Sequence, residues 1–310
     1  MAAKTTSCFT FLKEALILPK RNPKLFTPVL LLLALAAYLA PTVHVLFIQP
    51  IAADMANHLF EMSNMDPSSP EYAKILEEMK QGAVKLALIS IATLIITLAL
   101  AFVNQIIAFF AASTTYSGDR YSLTELIREI SKGNAVRGPI ITIAVVTALN
   151  FAWMAVLGVL LSAMTRDGRP SVLSVQGLLF VVGFLAFLYF TVLAVVSVAA
   201  SVVDEEYRGV GALRQAWRVM TRVKRKEGLV LVLVAHLLPA TVVAPLYGVA
   251  LVYAKSVAAA LCMLAVYALL SGAQQLFCLA AATVYYYEAM ESKEVSPCDY
   301  VKIPSGEPNV

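Results

Sequence analysis

Six long runs of the chain contain no Lys, Arg, Asp or Glu: residues 27–48, 86–112, 139–164, 175–203, 229–253 and 256–287. A helix of about 20 apolar residues crosses the ~30 Å hydrocarbon core of a bilayer, and every run reaches that length. Helix is the required conformation, because lipid offers no partner to an exposed backbone N–H or C=O. Several runs exceed the core thickness, so tilt, kinks or projection beyond the lipid are expected. Composition points the same way. Of 310 residues, 60% are hydrophobic and 14% charged, against about 25% charged in soluble domains; mean hydropathy is +0.77. This excludes a disordered chain, a disulfide scaffold and an ordinary nucleic-acid binder, and a net charge of +4 is too small to imply a polyanionic partner. The expectation is an all-α integral membrane protein. A cytosolic tail (1–26) precedes a six-span membrane domain (27–287) that carries an outer loop at 49–85, and a second cytosolic tail (288–310) follows. The narrowest joint is "YAKS" at 253–256, read as a tight turn around Lys255.

Lys and Arg set the orientation. The two tails and the loops at 113–138 and 204–228 hold 18 basic residues, whereas the opposite side holds six: Lys74, Lys80, Lys85, Arg166, Arg169 and Lys255. Both termini are therefore expected in the cytosol; the pattern does not separate endoplasmic reticulum from plasma membrane. No cleaved signal is expected, since the first apolar run starts at 27 and is too long for a signal core. Cys8 and Cys298 fall on the reducing side and Cys262 and Cys278 within span six, so no disulfide is expected. They are read as structural thiols, with palmitoylation of Cys8 as the alternative.

The even-numbered spans resemble one another. "NQIIAFFAAST" (104–114) and "QQLFCLAAATV" (274–284) align without gaps, matching an amide pair, two alanines and a hydroxyl residue, and "AAS" (199–201) holds the corresponding place in span four. Offsets of this size suit a helix-hairpin repeat. A short amphipathic helix precedes each odd span. Phe9, Leu12 and Leu16 share a face in the first, which Pro19 should stop. Ser122 and Glu125 form an S-x-x-E capping box in the second, with Leu123, Ile127 and Ile130 on one face and Gly133 as terminator. The third runs from about 210 to 224. The predicted unit is thus an interfacial helix plus a membrane hairpin, three times over. In the outer loop, Ser68 or Ser69 should cap a helix with Pro70 in its first turn, making a helical hairpin above the membrane.

Chemistry-bearing residues are sparse. His44, His58 and His236 are isolated, no cysteine–histidine cluster has metal-ligand spacing, and no Ser/His pairing or intramembrane carboxylate suggests hydrolysis or proton pumping. No catalytic residue, metal or cofactor is expected. The intramembrane polar residues Asn104, Gln105, Asn150, His236, Gln274 and Gln275 fit two roles: interhelical glue, or the lining of a passage for a neutral solute or lipid.

The segment "DEEYRGVGALRQAWRVMTRVKRKEG" (204–228) is the most informative. Val210, Leu213, Trp217 and Met220 recur at helical spacing, while Arg214, Arg218 and Arg222 recur every fourth residue on another face. Lys224, Arg225 and Lys226 extend the charge. Trp beside a basic face suits the headgroup level of a membrane whose cytosolic leaflet is anionic; an ordinary positive-inside loop or a calmodulin-type target helix are the other readings. An acidic residue ending span four, then Gly209 and Gly211, then "ALRQAW" (212–217) before a basic run resembles a family of six-helix membrane proteins. That family includes plant proteins of unassigned function and the membrane domain attached to bacterial glycerophosphodiester phosphodiesterases. The resemblance implies the six-span layout only, since no phosphodiesterase domain is present. The function expected is non-enzymatic engagement of the lipid bilayer, anionic cytosolic lipids above all, or of partner helices, through the interfacial helices. The alternative is a passive carrier or channel lined by the amides. No nucleic-acid partner is expected, and a homo-oligomer or a membrane-protein partner stays open.

Overall fold

The computed structural model describes residues 9–66, 68–132, 136–165, 175–204, 206–252 and 256–295. Cys8, Cys298, Gly133, Arg166, Arg169 and the turn at Lys255 lie outside them. The described residues are helical, with no strand among them, and six helices are long and apolar enough to cross a membrane. This is the architecture of an integral membrane protein.

In chain order a short helix precedes an antiparallel pair of long ones, three times. α1 (Thr10–Arg21) leads into α2 (Pro23–Val43), which continues through a π-turn (His44–Ile48) into α3 (Gln49–Ser63); α4 (Pro70–Tyr116) returns. α5 (Leu123–Lys132) precedes α6 (Arg137–Thr165) and α7 (Val175–Val203). α8 (Val210–Arg218) ends in a π-turn (Val219–Val223) and precedes α9 (Arg225–Leu238), a π-turn (Pro239–Val243), α10 (Ala244–Val252) and the return helix α11 (Val257–Val295). Two of the π-turns follow from proline, which lacks the N–H the helix ladder needs. Pro41 lies just before the first, and the N–H of His44 is shared between the carbonyls of Ala40 and Pro41; Pro239 opens the last. Pro19 does not stop α1, because a proline in the last turn forfeits a single ladder bond, and the helix runs on to Arg21.

The predicted caps form. Ser69 Oγ accepts from the N–H of Tyr72 at 3.1 Å with Pro70 first in the helix, so α3 and α4 make the helical hairpin. The Glu125 carboxylate accepts from the N–H and the Oγ of Ser122, both at 2.8 Å. The Ser122 backbone N–H, then its hydroxyl, hold the Glu125 carboxyl below its ordinary pKa.

The three short helices lie at one end of the bundle, the capped end. α8 packs on the return helix α7 and α1 on the return helix α11, while α5 touches both α2 and α4. There α4, α7 and α11 meet. Ala108, Ala111, Ala112, Ala199, Ala200 and Ala280 to Ala282 are fully buried, since small side chains let helix backbones approach closely. Towards the other, open end the long helices carry exposed apolar side chains such as Leu88, Ile95, Val159 and Leu185. Lipid is the solvent that tolerates such a surface.

The stripes each short helix buries differ from those the spacing suggested. α1 buries Phe11, Ala15 and Leu18, leaving Phe9 60% and Leu16 61% exposed. In α5, Leu126 is buried and Ile127 is exposed. α8 and its π-turn bury Ala212, Gln215, Ala216, Val219 and Met220, while Val210 is 67% and Trp217 51% exposed. Each helix therefore has apolar residues on two sides, one against the bundle and one facing away.

Candidate functional site

Two places gather the polar residues singled out above. The first is the basic end of α8. Arg214, Arg218, Arg222, Arg225 and Lys226 are all exposed. Trp217 stands edge-on to Tyr189 of α7, with ring centroids 5.9 Å apart. Beneath it runs a groove of about 710 Å³ walled by Tyr189, Trp217, Met220, Thr221 and Leu229, with Arg225 and Lys226 on its rim. Lys224 does not belong to this exposed set. It sits in the break between the π-turn and α9, and its Nζ donates to Glu288 of α11 at 2.8 Å, with side chains only 12% and 15% exposed. The Tyr285 hydroxyl donates to the Lys224 carbonyl at 3.1 Å, which satisfies the backbone at that break. Lys224 is thus an interhelical pair-former, a correction to its grouping with the lipid-facing residues.

The second place is a chamber of about 290 Å³ within the bundle, reached by α2, α4, α7, α9 and α11. Gln105, His236, Gln274 and Gln275 all line it, together with Thr191 and Cys278, which the sequence reading did not single out. Asn104 does not. It is buried in the α2–α4 seam, where its Nδ2 donates to the Leu32 carbonyl at 3.0 Å. Neighbours on a helix point about 100° apart, so Asn104 closes a seam while Gln105 faces a cavity. Asn150 lies apart on α6, its enclosed Oδ1 without a partner among the described residues.

His236 fixes the chamber's polarity. Its Nε2 is 2.8 Å from the Leu188 carbonyl, which can only accept, so this nitrogen carries the proton. The Thr191 hydroxyl donates to the same carbonyl at 2.8 Å. Nδ1 makes no hydrogen bond among the described residues, and the Thr191 hydroxyl oxygen also lies 3.1 Å from Nε2. Gln274 Nε2 reaches Cys278 Sγ at 3.5 Å and Gln275 Nε2 reaches Ser271 Oγ at 3.4 Å, both weak contacts. Gln105 has no hydrogen-bond partner among the described residues. At 1.5 Å per residue, Gln105 lies about 16 Å from the end of α4 and His236 about 16 Å from the start of α9, so both fall well inside their helices. A second cleft of about 600 Å³ adjoins the chamber at Ala101 and Gln275 and extends past His44, Thr97 and Tyr247 towards the open end. Among the described residues no group of three or more His, Cys, Asp or Glu is placed to hold a metal.

These features define a six-helix integral membrane protein with a basic, aromatic-lined groove at one end and an uncharged, mostly apolar pocket between the helices that carries a few polar groups. Residues 3–291 match the domain of unknown function DUF8558, and the chain belongs to that family. No curated protein and no solved structure matches it.

Proposed function

We propose that this is a non-enzymatic membrane protein whose capped end faces the cytosol and engages anionic lipid through its short helices. The observation that carries the reading is the second apolar side of those helices. Phe9 and Leu16, Ile127 and Val210 are exposed and Trp217 is half exposed at the edge of its groove, beside exposed Lys13, Arg128, Arg214 and Arg218. Apolar residues flanked by Lys and Arg suit a helix at the headgroup level, and each basic residue near an anionic surface contributes about 1 kcal/mol. The groove under Trp217 then takes an acyl chain, with Arg225 and Lys226 at its headgroup. The cytosolic orientation is supported by the excess of Lys and Arg on the loops and tails of that end. The threefold helix-plus-hairpin repeat belongs to the same proposal, supported by the element order and by the contact of each short helix with a return helix. So does distant kinship with the plant and phosphodiesterase-linked six-helix proteins, supported by "ALRQAW" at 212–217.

Hydrogen exchange of the protein in nanodiscs tests the lipid reading. Residues 210–223 should be more protected in anionic than in neutral bilayers, and the difference should fade between 0.1 and 1 M salt as the Debye length falls from ~10 to ~3 Å. Replacing Arg214, Arg218 and Arg222 together by Gln should remove most of it. Equal protection in both bilayers would leave the basic residues explained by topology alone. The chamber favours a second reading, a passive carrier for a neutral solute or lipid; liposome flux abolished by Gln274→Ala would support that reading.

A further inference from the structure

We propose that the chamber lined by Gln105, His236 and Gln274 is a binding site for an uncharged lipid, held by its hydroxyl headgroup. The proposal requires binding only, so it stands apart from headgroup engagement at α8 and from transport.

The hydrogen-bond inventory of the walls selects the ligand. His236 Nε2–H is committed to the Leu188 carbonyl, which leaves Nδ1 with no partner among the described residues. The Gln105 amide has no partner, and the oxygen of Gln274 has none, its nitrogen making only the 3.5 Å contact to Cys278 Sγ. Unpaired amides facing a mostly apolar pocket within a membrane-spanning bundle cost free energy, so a partner that satisfies them is favoured. A hydroxyl both donates and accepts, and answers Nδ1 and an amide together. No charged side chain lines the chamber or the adjoining cleft. A phosphate or ammonium headgroup would therefore enter without a counter-ion, at a large desolvation cost. Much of the remaining wall is apolar, including Leu33 and Leu279, and the 600 Å³ cleft that meets the chamber at Gln275 gives a hydrocarbon body somewhere to lie. Sterols and diacylglycerols share this chemistry: one free hydroxyl on an uncharged apolar body.

The full chain in nanodiscs is irradiated with photoreactive sterol, photoreactive diacylglycerol, the methyl ethers of both, and photoreactive phosphatidylcholine. Labelled peptides are then mapped. At least one hydroxyl probe should label residues 101–105, 188–195, 232–239 or 274–279, and the corresponding unlabelled lipid should compete. Its methyl ether should bind about three- to tenfold more weakly, the range expected when a hydroxyl can no longer donate. Labelling by one hydroxyl probe alone identifies the source, and labelling by both marks a site that reads only the hydroxyl; either supports the proposal. Gln105→Leu and Gln274→Leu, each checked for an unchanged thermal transition, should lower labelling by a similar factor. The methyl ether comparison needs no variant, so a variant that fails to fold leaves the test intact. No labelling by either hydroxyl probe, as for a chamber filled with water, overturns the proposal. So does equal labelling by methyl ether or phosphatidylcholine, which would mark an ordinary lipid crevice.

Discussion

Gly272 is where α11 passes closest to α2, and one methyl group there tests the packing of the bundle. A Cβ built on Gly272 would lie 2.8 Å from the Ala34 nitrogen and 3.0 Å from its Cα. These are backbone atoms, so no rotamer change relieves the contact, and the helices must separate by several tenths of an ångström. Overpacking of this kind costs about 1–3 kcal/mol, and a rigid obstruction belongs at the upper end. Helix propensity opposes it by at most about 1 kcal/mol, less where the unfolded chain stays helical in detergent. Gly272→Ala should therefore destabilise the protein by about 2 kcal/mol. Gly158 on α6 provides the matched control: its added Cβ meets nothing within 4 Å. Gly158→Ala should be neutral or stabilising by up to about 1 kcal/mol. Titrating both variants and the parent from mild detergent into SDS, followed by far-UV circular dichroism, gives the two free-energy changes. If Gly272→Ala proves as stable as Gly158→Ala, the close α2–α11 seam is wrong and the ring is not closed as described.

Three other substitutions or titrations follow from single contacts. Thr142 Oγ1 accepts from the N–H of Gly209 at 2.9 Å, at a backbone position with φ +53°, so Thr142→Val strands a buried donor and should cost about 1–3 kcal/mol in the same titration. Removing Lys224 or Glu288 alone leaves a poorly solvated charge, so Lys224→Met should cost about 2–4 kcal/mol and should cost less in a Glu288→Met background; additive losses in the double-mutant cycle would refute the pairing. The folded-state pKa of Glu125 is depressed below its ordinary value of 4.5, so its contribution is present above that pH and is lost as pH falls through the folded pKa. The protection factors across Leu123–Lys132, exchange rates divided out by the intrinsic rate at each pH, should accordingly fall below about pH 4.5, and Glu125→Gln should remove that fall.

The long helices and their caps were legible in the sequence because each is decided locally. A charge-free run of membrane length has one permitted conformation, and Ser122 and Glu125 recognise each other across a single turn. The faces of the short helices were not legible, because apolar periodicity does not say which neighbour an apolar residue meets. In α1 the stripe of Phe9, Leu12 and Leu16 is conspicuous, yet the bundle takes Phe11, Ala15 and Leu18. In α8 it takes Ala212 and Ala216, whose small side chains carry almost no signal but allow close approach. Lys224 misled for a related reason. It continues a basic run, and only the arrival of Glu288 from a helix 64 residues away turns it inward. Among the intramembrane polar residues, Gln105, His236, Gln274 and Gln275 stand out in the sequence and line one pocket in the structure. The sequence offered nothing to separate them from Asn104, or to recruit Thr191, since a threonine within a span most often bonds its own helix, as Thr191 also does.

The alanines and the amides explain each other. The return helices touch where their side chains are smallest, at Ala111 and Ala112, Ala199 and Ala200, and Ala280 to Ala282. Helices in contact at one point diverge at their crossing angle, commonly ~20–40° in membranes. Gln105 and Gln274–Gln275 lie one to two turns further along, ~10 Å from that point. The axes there are offset sideways by roughly 3–7 Å, which adds in quadrature to a closest approach of ~8 Å and widens the spacing by roughly 1–3 Å, so the helices pack less tightly where the amides sit. A bundle with large residues at the crossing would separate earlier and would not close at the capped end. With apolar residues in place of the amides the same space would be open to any acyl chain. The small residues thus set where the pocket begins, and the amides and His236 supply its polar groups.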